Sequence, residues 1–239
     1  MESYQTFLNR IDSFEKPELI LGDGYFSVNP SVERKVCEDN SFRGFYGDTV
    51  VFDLDEKEKA VIREYVNLLY QSAPECFCER LAGNTFHMTL HDLSNSPVQE
   101  DVADSMQSNE CKLKELLMEY PVESQTIKMQ SKAVFNMVNT SLVIGLYPVD
   151  EQEYLKLIKL YQLINTVKEL PYPLTPHITL AYYNRAGFDR TAAQQLEQTV
   201  NQLNNKSIEI LLNTERLVYQ HFQNMNDYHA IFYLKEMCR

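Results

Sequence analysis

Two short stretches echo one another 90 positions apart, Phe86-His87-Met88-Thr89-Leu90 and Pro176-His177-Ile178-Thr179-Leu180. Each sits in a run that reads as a β-strand. Side chains alternate faces along a strand, so His and Thr at i and i+2 share one face while Met88 or Ile178 takes the other. Two such strands side by side carry two imidazoles and two hydroxyls on one surface, a set of groups suited to proton transfer at a phosphate. The chain has only five histidines in 239 residues, and two of them fall in these matched contexts. A fold that uses both must bring together segments far apart in sequence.

The flanking pattern repeats as well. Residues 49–54 read as a buried strand, and Asp55 with Glu58 forms a capping box that opens a helix to about residue 72, with Val61, Tyr65, Leu68 and Leu69 on its apolar face. Pro74 ends that helix. The first His/Thr strand (85–91) follows, then a helix over 97–119 and strands over 123–138 and 140–147, joined by a tight turn near Asn139. From residue 140 the order recurs: strand, helix over about 150–169, the second His/Thr strand at 176–183, helix over 189–204. Strands over 206–220 and 228–235 close the chain. The expected fold class is α+β, a duplicated bilobal body in which two antiparallel sheets face a central groove with helices outside. Its lobe repeats span about 48–138 and 140–236.

Residues 1–47 show little periodicity and are punctuated by Pro17, Gly22, Gly24, Pro30, Gly44 and Gly47. They read as a helix over about 2–14 and then loops, an extension packed on the 48–239 domain. Its aromatics, Tyr25, Phe26, Phe42, Phe45 and Tyr46, are expected to pack against the core, with stacking on a base as the alternative.

The paired His-x-Thr-Leu motifs, in equivalent strands of a duplicated α+β chain, resemble the two-histidine phosphoesterase superfamily, which includes RNA 2′,3′-cyclic phosphodiesterases. The resemblance covers roughly residues 48–236. It implies that His87 and His177 are the catalytic pair and that Thr89 and Thr179 bind phosphate. The chemistry is consistent with that on its own terms. Imidazole titrates near neutral pH, so one ring can take a proton and the other give one, while hydroxyls donate to non-bridging oxygens as charge develops. The chemistry requires no metal and no cofactor. Tyr183 shares the parity of His177 and Thr179 on a regular strand and is a further substrate-binding candidate, whereas Tyr182 is expected to face away. Family members often carry a basic or aromatic residue near this position. Phe86 and Ile178 are expected in the core.

Other histidines and charges rank lower. His87 and His91 have the i, i+4 spacing of helical zinc sites, but on a strand four residues span about 13 Å, too far to share one ion. His91 is read as a strand-end residue continuing the His87 and Thr89 face. Arg43 and Lys132 are candidate phosphate contacts on charge alone. Asp53-Leu54-Asp55 resembles the nucleophile loop of haloacid-dehalogenase-type phosphatases. Lys57, however, stands where that motif has Thr or Val, and no later acidic pair follows for magnesium; the helix cap accounts for Asp55. His221 and His229 flank the last turn and are expected to be exposed.

Composition sets outer limits. A formal charge of −12 opposes a long polyanion, since affinity for nucleic acid rests on phosphate neutralisation, yet admits a small nucleotide or one RNA end in a local pocket. No run of 18 apolar residues and no basic-then-apolar leader is evident. Five cysteines without a Cys-x-x-Cys pair read as reduced thiols. The expectation is a cytoplasmic monomer acting on a small nucleotide or RNA end, with no membrane partner. The bond would be a 2′,3′-cyclic phosphate or a 2′–5′ linkage. A non-catalytic nucleotide-binding or sensing module using the same groove is the alternative.

Overall fold

The computed structural model describes residues 2–14 and 19–238, so Pro17 lies outside the described residues. Two four-stranded antiparallel sheets form the body. The first has the order β10 (Asp227–Tyr233), β9 (Leu217–Asn224), β2 (Tyr46–Asp53), β3 (His87–Ser96). The second has the order β6 (His177–Tyr182), β5 (Ser141–Pro148), β4 (Thr126–Met137), β8 (Glu209–Asn213). Each motif strand, β3 and β6, is therefore the edge of its own sheet, and the two edges contact one another. This is the two-sheet, groove-centred α+β arrangement that the paired motifs implied.

The helices α2 (Glu56–Ser72), α3 (Glu100–Glu119), α4 (Glu151–Asn165) and α5 (Arg190–Asn204) cover the sheets, and α1 (Tyr4–Phe14) packs on β5. Acidic caps set the starts of α2, α4 and α5. Asp55 accepts from Glu58 N at 2.8 Å while Glu58 accepts from Asp55 N at 3.1 Å, the reciprocal pair expected from sequence. Glu58 also accepts from Leu211 N, so the same side chain anchors α2 to β8. The buried stripe of α2 is Ile62, Tyr65, Val66 and Leu69, rotated slightly from the expected one, with Val61 and Leu68 half-buried. The helix α4 ends at Asn165, four residues short of the expected stop. There the Asn165 amide oxygen accepts from Leu170 N and ends the helical ladder.

The lobes do not coincide with the two halves of the chain. Although strand and helix order repeats, β4 from the first half belongs to the second sheet, and β9 and β10 from the second half belong to the first. The stretch 206–220, read as one strand, is two strands in different sheets. A 3₁₀ turn at Thr214–Arg216 separates them, capped by Asn213, which accepts from Glu215 N. Arg216 fastens the crossing to the end of β2 through Asp53 O at 2.9 Å, the Asp53 carboxylate at 2.5 Å and Leu54 O at 2.6 Å. The Asp53 carboxylate also holds Lys59 Nζ of α2 at 2.6 Å.

Residues 19–45 are woven into the body. The short strand β1 (Tyr25–Phe26) pairs with β7 (Phe188–Asp189), and Phe26 and Phe45 are buried. Tyr25 is exposed and Phe42 half-buried, so the expected packing role holds for some of these aromatics and not for Tyr25. No helix among the described residues is long and apolar enough to cross a membrane.

Candidate active site

A groove of about 710 Å³ runs between the sheets, and His87, Thr89, His177 and Thr179 all line it. The two imidazoles are held alike. His87 Nδ1 lies 2.7 Å from Thr85 O, and His177 Nδ1 lies 2.7 Å from Thr175 O. A carbonyl only accepts, so each Nδ1 carries the proton and donates it. That leaves each Nε2 as the unprotonated nitrogen available to the groove. The matched residues Thr85 and Thr175 extend the repeat by two positions, a signal present in the sequence. Neither Thr89 nor Thr179 uses its hydroxyl within the protein among the described residues.

Burial sets the protonation state of the pair. Desolvation pushes the His87 imidazole down to about 4, against the Thr85 hydrogen bond and the nearby Asp92 and Asp53 carboxylates. His177, on the neighbouring edge strand and lining the same groove, also disfavours a charge on His87. Burial likewise lowers His177, opposed by its Thr175 bond and Asp92 and reinforced by the ammonium of Lys35. Burial thus favours the neutral form of both rings at pH 7, and an anion between them would favour protonation of one.

Each motif strand carries a β-bulge at its leucine. In β3, Thr89 is opposite Val51 and His91 opposite Val50, leaving Leu90 as the extra residue. In β6, Thr179 is opposite Val143 and Ala181 opposite Leu142, leaving Leu180 extra. An inserted residue reverses the inside–outside alternation beyond it. Tyr182 consequently lines the groove, and Tyr183, expected there, does not. Tyr183 is fully buried between Phe26, Phe77 and Phe188, and its hydroxyl has no partner. By the same reversal Asp92 turns its exposed side chain to the His87 and Thr89 face, while His91, buried beside it, still borders the groove. His91 is buried mid-strand, with its ring 5.3 Å from Tyr161 and Nε2 donating to Asn165 at 3.0 Å.

Several groove residues escaped the sequence reading. Tyr228 of β10 sets its ring 5.1 Å from His87, edge to face. Three cations line the groove, Arg10, Arg34 and Lys35, all from the N-terminal segment. Arg10 is held by the Glu2 carboxylate, Leu174 O and Thr175 Oγ1. Arg34 donates to Asn95 and lies over the Phe45 ring. Arg43 and Lys132, the cations singled out from charge, are not at the groove. Arg43 donates to Glu33 O, and Lys132 pairs with Asp12. His221 is partly buried and bonded to Tyr219 Oη at 3.1 Å, while His229 is exposed beside Asp227. Among the described residues no cluster of three or more His, Cys, Asp or Glu side chains could hold a metal ion.

No protein-family model matches the chain, and no curated protein matches it. Among solved structures, it is similar to ATU0111, a conserved protein of unknown function from Agrobacterium tumefaciens. That match has TM-score 0.71 at 11% identity, covering 93% of this chain and 98% of that one. This likeness, nearly end to end in both chains, shows a shared fold. Weaker likenesses are to TT0787 of Thermus thermophilus (TM-score 0.48, 13% identity, 79% of this chain and 97% of that one) and to LigT of Escherichia coli (TM-score 0.45, 13% identity, 79% and 95%).

Proposed function

We propose that the chain is a metal-independent phosphodiesterase that opens a small cyclic or 2′-linked phosphodiester, such as a 2′,3′-cyclic phosphate or a 2′–5′ bond, by two-histidine acid–base catalysis. The observation that carries this reading is the symmetric presentation of His87 and His177 at one groove, each with Nδ1 tied to a carbonyl and Nε2 left unprotonated. One Nε2 takes the proton of the attacking water as its oxygen bonds to phosphorus. The phosphorus–oxygen bond on the far side breaks, and the leaving oxygen receives a proton from the other imidazole. Thr89 and Thr179 donate to the non-bridging oxygens. The acid partner needs a charge that burial disfavours, and the substrate's own anion supplies the opposing field.

The test is a screen of 2′,3′-cyclic nucleotides, 2′–5′ dinucleotides and cyclic dinucleotides in the presence of EDTA. It is run beside His87→Ala and His177→Ala, each expected to lower kcat by about 10²–10⁴-fold. Near-normal turnover in both single variants rejects the assignment. Tight nucleotide binding by calorimetry with no product would instead favour a sensing module.

A further inference from the structure

We infer that Lys35 is the phosphate-binding cation of this groove, so that the N-terminal segment completes the site rather than merely covering it. The inference deepens the phosphodiesterase reading and rests on it for the nature of the substrate.

Cations are in short supply in this chain, with 22 Lys and Arg against 34 Asp and Glu. Of the three lining the groove, Arg10 is already committed to a carboxylate and Arg34 is exposed at the rim. Lys35 differs. Among the described residues no carboxylate forms an ion pair with it. Its Nζ donates instead to Tyr182 Oη at 3.3 Å and sits over two rings, 4.9 Å from the centroid of Tyr182 and 5.2 Å from that of Phe45. An ammonium offers three donors, and here one goes to a hydroxyl while two aromatic faces shield its flanks.

The backbone fixes this placement. Asn29 caps the 3₁₀ turn Pro30–Arg34 by accepting from Ser31 N, and Lys35 N closes the turn onto Val32 O. Val32 and Val36, buried on either side, pin the residue in register. The bulge at Leu180 is what brings Tyr182 round to receive the ammonium. Both devices converge on the His177 side of the groove, where the charge on Lys35 is felt by the ring. The charged and titratable groups facing Lys35 are Asp92 from β3, His177 and Tyr182 from β6, and its own neighbour Arg34. Burial lowers the Lys35 amine and Asp92 opposes that. A phosphate oxygen within reach of Nζ would complete the ion pair that the protein itself leaves unmade.

Inorganic phosphate is the probe, followed by calorimetry on the full chain. Lys35→Met keeps the apolar stem between Phe45 and Tyr182 and is expected to weaken phosphate binding by about tenfold to a hundredfold. Unchanged phosphate affinity in a folded Lys35→Met overturns the inference. A wild-type measurement covers the case in which that variant does not fold. Reductive methylation read by mass spectrometry should be slowed at Lys35 by saturating phosphate, and no protection also overturns it. With a substrate in hand, Lys35→Met should move the limb of the kcat/KM–pH profile that belongs to His177 toward higher pH. The ring then loses a repelling neighbour but keeps Asp92 and His87. If phosphate binds through Lys35 but no diester is turned over, the phosphodiesterase reading fails and this one stands.

Discussion

The His87 ring is held neutral by burial, and this makes folding stability depend on pH in a way that one substitution can expose. Its imidazole is pushed from 6.5 in an exposed chain down to about 4 in the fold. Above pH 6.5 the ring is neutral in both states and contributes nothing to the pH dependence. As pH falls through 6.5 the unfolded chain binds a proton that the folded one refuses, so stability is lost progressively until about pH 4, where the folded ring also charges. At roughly 1.4 kcal/mol per tenfold change in proton affinity, the full loss from His87 is about 3 kcal/mol. For a chain of this length that corresponds to a fall in Tm of roughly 6–12 °C. His177 adds in the same direction. Urea unfolding at intervals from pH 7.5 to 4.5, on wild type and His87→Gln, isolates the His87 contribution because carboxylate contributions are shared. The variant's curve should be flatter by about 2–3 kcal/mol across that range. Parallel curves, agreeing within about 0.5 kcal/mol, would refute the claim that the groove keeps this ring uncharged. Saturating phosphate should restore part of the wild-type loss at low pH, since an anion beside the ring favours imidazolium.

Three other outcomes follow from particular contacts. Asp53→Ala leaves the Lys59 ammonium, whose side chain is 7% exposed, with only Asn84 O, and removes the carboxylate from Arg216 while its bonds to Asp53 O and Leu54 O remain; with the carboxylate itself 28% exposed, the cost should be about 2–3 kcal/mol, and a loss under about 1 kcal/mol in urea unfolding would count against Asp53 as the tie between the end of β2, α2 and the crossing at Arg216. Val138 adopts a left-handed φ of 44° at the tip of the β4–β5 hairpin with its side chain 61% exposed, so Val138→Gly should stabilise by about 1 kcal/mol, and a lowered Tm would contradict that. Tyr183→Phe removes a buried hydroxyl that has no partner and should leave stability equal or raised by up to about 1 kcal/mol, with turnover unchanged, whereas Tyr182→Phe should weaken phosphate binding; the reverse pattern would contradict the bulge at Leu180.

The local chemistry of the chain was legible from its order of residues. Strand alternation put His87 with Thr89 and His177 with Thr179, the Asp55 capping box marked the start of α2, and the repeat across 90 positions announced two equivalent strands. All of these depend on neighbours within a few residues, where the periods of strand and helix apply. Parity beyond the motif leucines could not be read this way. A bulge is defined by two residues facing one on a partner strand, so the reversal that trades Tyr183 for Tyr182, and turns Asp92 into the groove beside His91, exists only once β2 and β5 are in place.

Sheet membership and the supply of positive charge were likewise tertiary decisions. Nothing between residues 206 and 220 distinguishes one long strand from two short ones until Arg216 finds Asp53 and Leu54, more than 160 positions earlier, and turns the chain into the other sheet. Lys35 offers no sequence signal at all, because a lone lysine in an aperiodic stretch becomes meaningful only through what surrounds its ammonium. The order of residues thus determined which groups the chain could bring to a phosphate. Which of them reach the groove was decided by long-range pairing, since a side chain's direction on an edge strand depends on its neighbour's register.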